Sequence, residues 1–299
     1  MIDQADKLRR LMKKSKNEKS TEKNKSEKRA KVLAITSGKG GVGKTNFALN
    51  FSISLQKLGY EVIIFDADVG LANVEILSGV NLKSSISDII LLNKDINEVI
   101  AKGPEGIKMV SGGSGLKELA LLNEENMLKM LKEIKKLQST ADFIIIDTGA
   151  GISSVVLDFV MASDEVIIVT TPDPTSIMDS YTLIKSLSSY GFKEKLNIIT
   201  NMVDDKSEGK EVFNKLNNAT FNFLRIQLNY LGYIERTNII NNAVRNQIPF
   251  IVSNPNSIVS KKLNNMTINY TSNRVIKEDN ENKSFAEKLL HIFSRRGER

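Results

Sequence analysis

Seven short runs of almost uninterrupted apolar residues punctuate the chain, at 32–36, 61–65, 107–110, 143–146, 165–171, 196–201 and 228–234. Runs of this length, bounded by turn-forming residues, read as strands buried on both faces. Between them lie longer stretches with helical spacing, at 44–58, 123–138, 174–190, 208–226, 238–246 and 255–267. Gly59 closes the first of these helices. The second turns Met127, Leu128, Leu131, Ile134 and Leu137 inward. Residues 74–103 read as short helices joined by loops. The alternation predicts an α/β fold: a mostly parallel, twisted sheet with helices on both faces, binding its ligand at the carboxyl ends of the strands.

The punctuation carries the candidate chemistry. Between the first strand and the first helix stands Ser37-Gly38-Lys39-Gly40-Gly41-Val42-Gly43-Lys44-Thr45. The pattern Gly-x4-Gly-Lys-Thr between a strand and a helix is a phosphate-binding loop. Its glycines let successive N–H groups converge on phosphate, and the new helix adds its positive end. Lys44 is expected on the β- and γ-phosphates and the Thr45 hydroxyl on Mg2+. Gly38 to Thr45, with Asn46 after them, form the expected nucleotide-binding set. The second strand ends in Asp66-Ala67-Asp68, where carboxylates face the crevice. Asp66 is expected to order Mg2+ and its waters, and Asp68 to orient or deprotonate the attacking water. The strand at 143–146 ends in Asp147-Thr148-Gly149-Ala150-Gly151, a Walker B carboxylate followed by a loop free to change shape with nucleotide state. Asn201 closes a later strand. Asn201-Met202-Val203-Asp204 also spells Asn-x-x-Asp, so these residues alone leave adenine and guanine both open. Ser111 to Gly115 lacks a following Lys-Ser/Thr and reads as a hinge or edge loop.

Composition narrows the class. The chain has 299 residues and is 41% hydrophobic, enough for one large α/β domain with appendages. It has no cysteine, which removes disulfides and iron–sulfur ligation, and a single histidine, His291. No apolar run approaches the roughly 20 residues that cross a bilayer, and the first residues do not read as a secretory signal. The net charge of +7 resides in residues 1–31, with 12 Lys/Arg against 5 Asp/Glu; residues 32–299 hold 30 of each. A neutral domain argues against a folded nucleic-acid-binding face, whereas the arm suits an acidic partner or anionic lipid.

The early lysine in Lys39-Gly40-Gly41-x-Gly43-Lys44-Thr45 resembles the deviant Walker A motif of the MinD/ParA class of dimeric ATPases. Asp-x-Asp followed by Gly70-Leu71-Ala72-Asn73 resembles that class's first switch. The resemblance covers about 32–267. It implies an ATP- and Mg2+-dependent hydrolase active as a homodimer, in which Lys39 reaches the partner subunit's nucleotide. It implies that Asn201 meets the adenine edge, and that the loop at Ile234 and Glu235 closes over the base. The proline-bearing loop at 172–174 would lie near the dimer interface.

Both ends narrow the resemblance. Residues 1–12 read as a short helix capped by Asp3, with Ala5, Leu8, Leu11 and Met12 on one face, followed by a polar tether to residue 31. Asp3-Gln4-Ala5-x-x-Leu8-Arg9 resembles the N-terminal motif of the FlhG (YlxH, FleN) family, as does Ala243-Val244-Arg245-x-Gln247-x-Pro249-Phe250. This implies docking on the GTPase FlhF and stimulation of its GTP hydrolysis, in the service of flagellar number or placement. After a polar linker at 268–283, Phe285, Leu289, Leu290, Ile292 and Phe293 share one face of a helix, opposite basic residues. That pattern suits an interfacial membrane helix, and also a helix docked on its own domain. The expectation is a cytoplasmic protein peripheral to the inner face of the membrane, with domains 1–31, 32–267 and 268–299. Two alternatives share the chemistry: a ParA-like DNA-associated partitioning ATPase, and a MinD-type division-site ATPase.

Overall fold

The computed structural model describes residues 29–68, 73–113, 124–272 and 284–296. The expected N-terminal helix with Asp3, Gln4, Ala5, Leu8 and Arg9, residues 69–72 of the first switch, and most of the linker lie outside the described residues.

Among the described residues, eight strands form one sheet: β1 (Lys31–Ser37), β2 (Val62–Ala67), β3 (Ala101–Lys102), β4 (Lys108–Ser111), β5 (Phe143–Ala150), β6 (Glu165–Thr170), β7 (Lys195–Val203) and β8 (Asn229–Glu235). Their order is β3-β4-β2-β5-β1-β6-β7-β8. All neighbours are parallel except the two-residue edge strand β3, which runs antiparallel to β4. The loop-bearing strand β1 is therefore central, flanked by β5 and β6.

Alternate residues of β1 feed opposite faces, as the pleat requires. Leu33 and Ile35 join a core with α1 (Lys44–Lys57), α9 (Asn238–Arg245), α10 (Phe250–Ser253) and α11 (Ile258–Ser272). Val32 and Ala34 join the opposite face. That face is covered by α3 (Asp88–Leu91), α4 (Ile96–Val99), α5 (Glu124–Ser139), α6 (Ser154–Ala162), α7 (Pro174–Ser189), α8 (Lys206–Leu224) and α12 (Phe285–Arg296). A short helix, α2 (Asn73–Ser78), follows β2. The expected α/β architecture holds, with three local differences. Helix α11 runs to Ser272, into the expected linker, because Tyr270 packs edge-on against Phe51 and holds the last turn down. In α5, Leu128 is exposed, and Met130 takes the buried place beside Leu131 and Ile134. The domain also begins earlier than Val32, since Ala30 is buried and its N–H donates to the Gln138 carbonyl at 2.8 Å.

The apolar face expected to meet lipid is docked on the domain. Phe285, Ala286 and Leu289 are buried in the core with Phe159 and Ile134, and Leu290 and Ile292 pack at its margin. Phe293 lies in α12, but its side chain is outside the described part. The helix packs on α5 and α6. Burying a side chain such as Phe285 or Leu289 contributes about 1.5–3 kcal/mol. The polar face is tied down as well: Lys135 pairs with Glu287 at 3.1 Å, and Lys288 reaches the Ser163 carbonyl and Asp164. Asp164 also holds Arg29 at 3.0 Å and accepts from Val32 N. Both described ends of the chain thus meet at one carboxylate, at the amino ends of β1 and β6, opposite the phosphate loop.

Candidate active site

The loop from Gly38 to Thr45 joins the central strand to α1, and its glycines are used in two ways. Gly41 and Gly43 have φ of +78° and +85°, where a side chain is strained. Gly38 has no room: a Cβ there would stand 2.2 Å from the Asp179 carbonyl carbon in α7. Gly43 is packed from the other side by Asn201, whose Nδ2 donates to the Val42 carbonyl at 2.7 Å. Asn201 at the end of β7 therefore staples the loop. Asn46 is half-buried and accepts from Asn50 through its carbonyl.

At the start of α1, Lys44 is buried and pairs with Asp147 Oδ1 at 2.7 Å, and it lies 3.3 Å from the Thr45 hydroxyl. Asp66 stands opposite Asp147 in the β2–β5 register. Burial raises the Asp147 carboxyl above its ordinary range, with the Lys44 charge working against the rise. Burial and then the Asp147 charge push Asp66 up to about 7, against hydrogen bonds from Asp68 N and Val74 N and the charge of Lys44. Two buried carboxylates thus face a single ammonium. Asp147 Oδ2 has no hydrogen-bond partner. An orphaned carboxylate oxygen and an excess of buried negative charge fit a divalent cation. No group of three or more acidic or histidine residues forms a cage among the described residues. One or two carboxylates plus a hydroxyl, here Asp66, Asp147 and Thr45, is the donor set with which Mg2+ joins a phosphate.

The segments expected to act as switches lie side by side at Asp68 and Gly149. Asp68 accepts from Asn73 Nδ2 at 3.1 Å, and its Oδ1 lies 3.1 Å from where a Cβ on Gly149 would stand. Gly151 N donates to the Ser37 carbonyl at 2.8 Å, which ties the second switch to the root of the phosphate loop.

Above the loop lies a cavity of about 530 Å³ lined by Lys39, Gly40, Gly41, Val42, Thr171, Pro172, Asp173, Met202 and Arg236. None of the three expected base contacts lines it: Asn201 donates to the Val42 carbonyl instead. Ile234 is buried in the core, and the Glu235 side chain pairs with Lys262. Strand β8 ends there, so the next residue, Arg236, turns into the cavity. Met202 reaches it through a left-handed kink, φ +58°, at the end of β7. Sequence reasoning placed Arg236 only as part of the loop that follows β8 and gave Met202 and Asp173 no role of their own; the change of direction at a strand end is the signal that marks such positions. Lys39 donates to Asp173 Oδ2 at 2.6 Å and to the Thr175 hydroxyl.

A family model of ParA type, described as a NUBPL iron-transfer P-loop NTPase, matches residues 28–270. The antiactivator FleN of Pseudomonas aeruginosa is 36% identical over 216 residues, 72% of this chain and 77% of FleN. The flagellum site-determining protein YlxH of Helicobacter pylori is 38% identical over 264 residues, 88% of each chain. The chain belongs to the ParA family of P-loop NTPases, in its FleN/YlxH branch. It is a nucleotide hydrolase of the MinD/ParA type. With no cysteine, this family member has no thiolate for an iron–sulfur cluster. Solved structures agree on the fold. MinD in the MinC:MinD complex of Aquifex aeolicus superposes with a TM-score of 0.66 at 23% identity, over 82% of this chain and 97% of that one. MinD of Pyrococcus horikoshii, solved with Mg-ADP, gives 0.65 at 22%, over 81% and 96%. No helix among the described residues is long and apolar enough to cross a membrane.

The raised Asp66 gives a test in the nucleotide-free protein. Its carboxyl titrates at 3.8 when unfolded and about 7 when folded. The penalty for ionising it is absent below the lower value, grows between the two, and is complete above the higher one. Asp66→Asn keeps an acceptor for Asp68 N and gives up the longer bond from Val74 N, a loss that does not depend on pH. It should raise the midpoint of thermal unfolding by about 5 °C near pH 8, with the gain vanishing near pH 4. A gain independent of pH would count against the assignment.

Proposed function

We propose that this chain is an ATP-hydrolysing switch that dimerises with nucleotide bound and regulates flagellar number or placement. The observation that carries the reading is the Lys44–Asp147–Asp66 cluster under a phosphate loop, in a chain similar over most of its length to an antiactivator and a flagellum site-determining protein.

Lys44 exchanges Asp147 for the β- and γ-phosphates when nucleotide enters. Asp147, Asp66 and the Thr45 hydroxyl then face Mg2+, which when bound neutralises charge on the phosphate oxygens. Asp68 orients or deprotonates water for in-line attack, and its contact with Gly149 lets one event move both switches. Lys39 of the partner stabilises charge at the transferred phosphoryl group. Asn201 and the backbone around Ile234, Glu235 and Arg236 hold adenine. Loss of the γ-phosphate relaxes the switches and separates the dimer.

Lys44→Ala should abolish ATP binding. Asp68→Ala should keep ATP binding while turnover falls about 100-fold or more, with a dimer accumulating in analytical ultracentrifugation. A monomeric Asp68→Ala protein at saturating ATP would overturn the mechanism.

The two ends supply the finer reading. Residues Asp3, Gln4, Ala5, Leu8 and Arg9 form the determinant for an FlhF-type GTPase. A peptide of residues 1–20 should stimulate that enzyme's GTP hydrolysis, and Gln4→Ala or Leu8→Ala should remove the effect; a peptide without activity would remove the FlhF partnership. Helix α12, docked on α5 and α6, leaves the domain in the ATP state to seat Phe285, Leu289, Leu290, Ile292 and Phe293 in lipid. A dimer then presents two weak anchors together, which bind far better than one. Cosedimentation with anionic vesicles should require ATP and should fail in Leu290→Glu with Ile292→Glu. Binding that survives both changes would assign the anchor elsewhere.

A further inference from the structure

Strand β8 stands at the end of the sheet, with β7 on one side and, among the described residues, no strand on the other. An edge strand has a single ladder of hydrogen bonds where a central strand has two. Here that ladder is also irregular: the β7–β8 register shifts between Ile198 and Ile199, and again between Asn201 and Val203. The second shift falls at the kinked Met202, opposite the last residues of β8. From that end the chain turns into Arg236, whose N–H donates to the Val203 carbonyl at 2.9 Å and which lines the cavity above the phosphate loop. A strand end with one neighbour thus carries a wall of the candidate nucleotide site.

A brace is present, and it comes round the open side. Ile234 joins the core that holds Val259, Leu263 and Met266 of α11. Tyr233 and Glu235, on either side of it in the strand, point to the opposite face. A Cβ on Gly209, in α8 on that face, would stand 3.0 Å from the Tyr233 Cβ. Lys262 of α11 nevertheless reaches both residues. Its Nζ pairs with Glu235 Oε1, donates to the Tyr233 hydroxyl at 3.2 Å and lies 4.6 Å from the centre of the Tyr233 ring. A side chain that starts on one face and meets partners from the other passes round the edge, since the sheet itself is closed to it. Burial works against the Lys262 charge, but the Glu235 and Tyr233 contacts outweigh it and hold the ammonium above its ordinary range.

We infer that Lys262 is a positioning residue for the base end of the nucleotide site: by clasping Tyr233 and Glu235 round the edge of the sheet, it fixes the end of β8 and with it the place of Arg236 in the cavity. The inference rests on the nucleotide-site reading above and adds to it a residue outside the cavity. Lys262 touches no nucleotide. It acts through Glu235 on Arg236, whose planar guanidinium stacks on an aromatic base where a flexible strand end would let it drift.

The test uses the full chain in Mg2+ buffer, with the slowly hydrolysed analogue ATPγS and dissociation constants from calorimetry; thermal unfolding verifies the fold of each variant. Lys262→Met keeps the length of the stem and removes the charge. It should weaken ATPγS binding by up to about fivefold, the scale of one partly exposed ion pair. Lys262→Arg can still pair with Glu235 and stack on Tyr233, and should restore wild-type affinity. Arg236→Ala should also weaken binding, and adding Lys262→Met to it should cost nothing further, because the two act through one contact. Wild-type affinity in Lys262→Met, or in Arg236→Ala, would overturn the inference and leave the nucleotide site standing. Losses that add in the double variant would overturn it too, by making the clasp a general support of the fold. Failure of wild type to bind ATPγS at all would overturn both readings.

Discussion

Two carboxylates stand side by side at the ends of adjacent strands, with one lysine to balance them, and the rest of the domain is arranged around that imbalance. Asp66 and Asp147 are fixed by the β2–β5 register and cannot move apart without breaking the sheet. Burial deprives them of water, and Lys44 offsets only part of the charge. A site in this condition is completed by a ligand that brings both a cation and an anion. Metal-bound nucleotide has that composition. The same imbalance costs free energy until a cation offsets it.

The strand order converts that local chemistry into long-range geometry. Because β1 is central, its loop is touched from β5 through Gly151 and the Ser37 carbonyl, and from α7 through the Asp179 backbone at Gly38. It is touched from β7 through Asn201. Each contact uses backbone or a short side chain, so there is little slack to absorb displacement. The neighbours that would meet a displacement of the loop are Gly151, Asn201 and the second turn of α7 around Asp179.

Much of this was legible in the sequence, and the exceptions have physical causes. Lys44, Thr45, Asp66 and Asp147 could be placed because loop and strand backbones fix where those residues point. The side chains of Ile234 and Glu235 do not reach the cavity that Arg236 lines, since the chain changes direction where β8 stops. Leu128 was taken as core in place of Met130, because an apolar stripe wider than the groove it meets does not say which edge is covered. The amphipathic pattern of α12 was plain, yet amphipathicity records only that one face avoids water. Whether lipid or protein covers it depends on the groove between α5 and α6, which sequence periodicity does not describe. The Lys39–Asp173 pair, 134 positions apart, is a purely tertiary fact.

The carboxylate of Asp164 has a consequence for what the two ends can do together. It anchors Arg29, where the N-terminal arm enters the domain, and Lys288, in the first turn of α12. One carboxylate therefore serves both the entry of the chain into the domain and the seat of its last described helix. Displacing the helix would leave Arg29 and Val32 N as its partners, at the amino ends of β1 and β6 and so on the far side of the sheet from the phosphate loop.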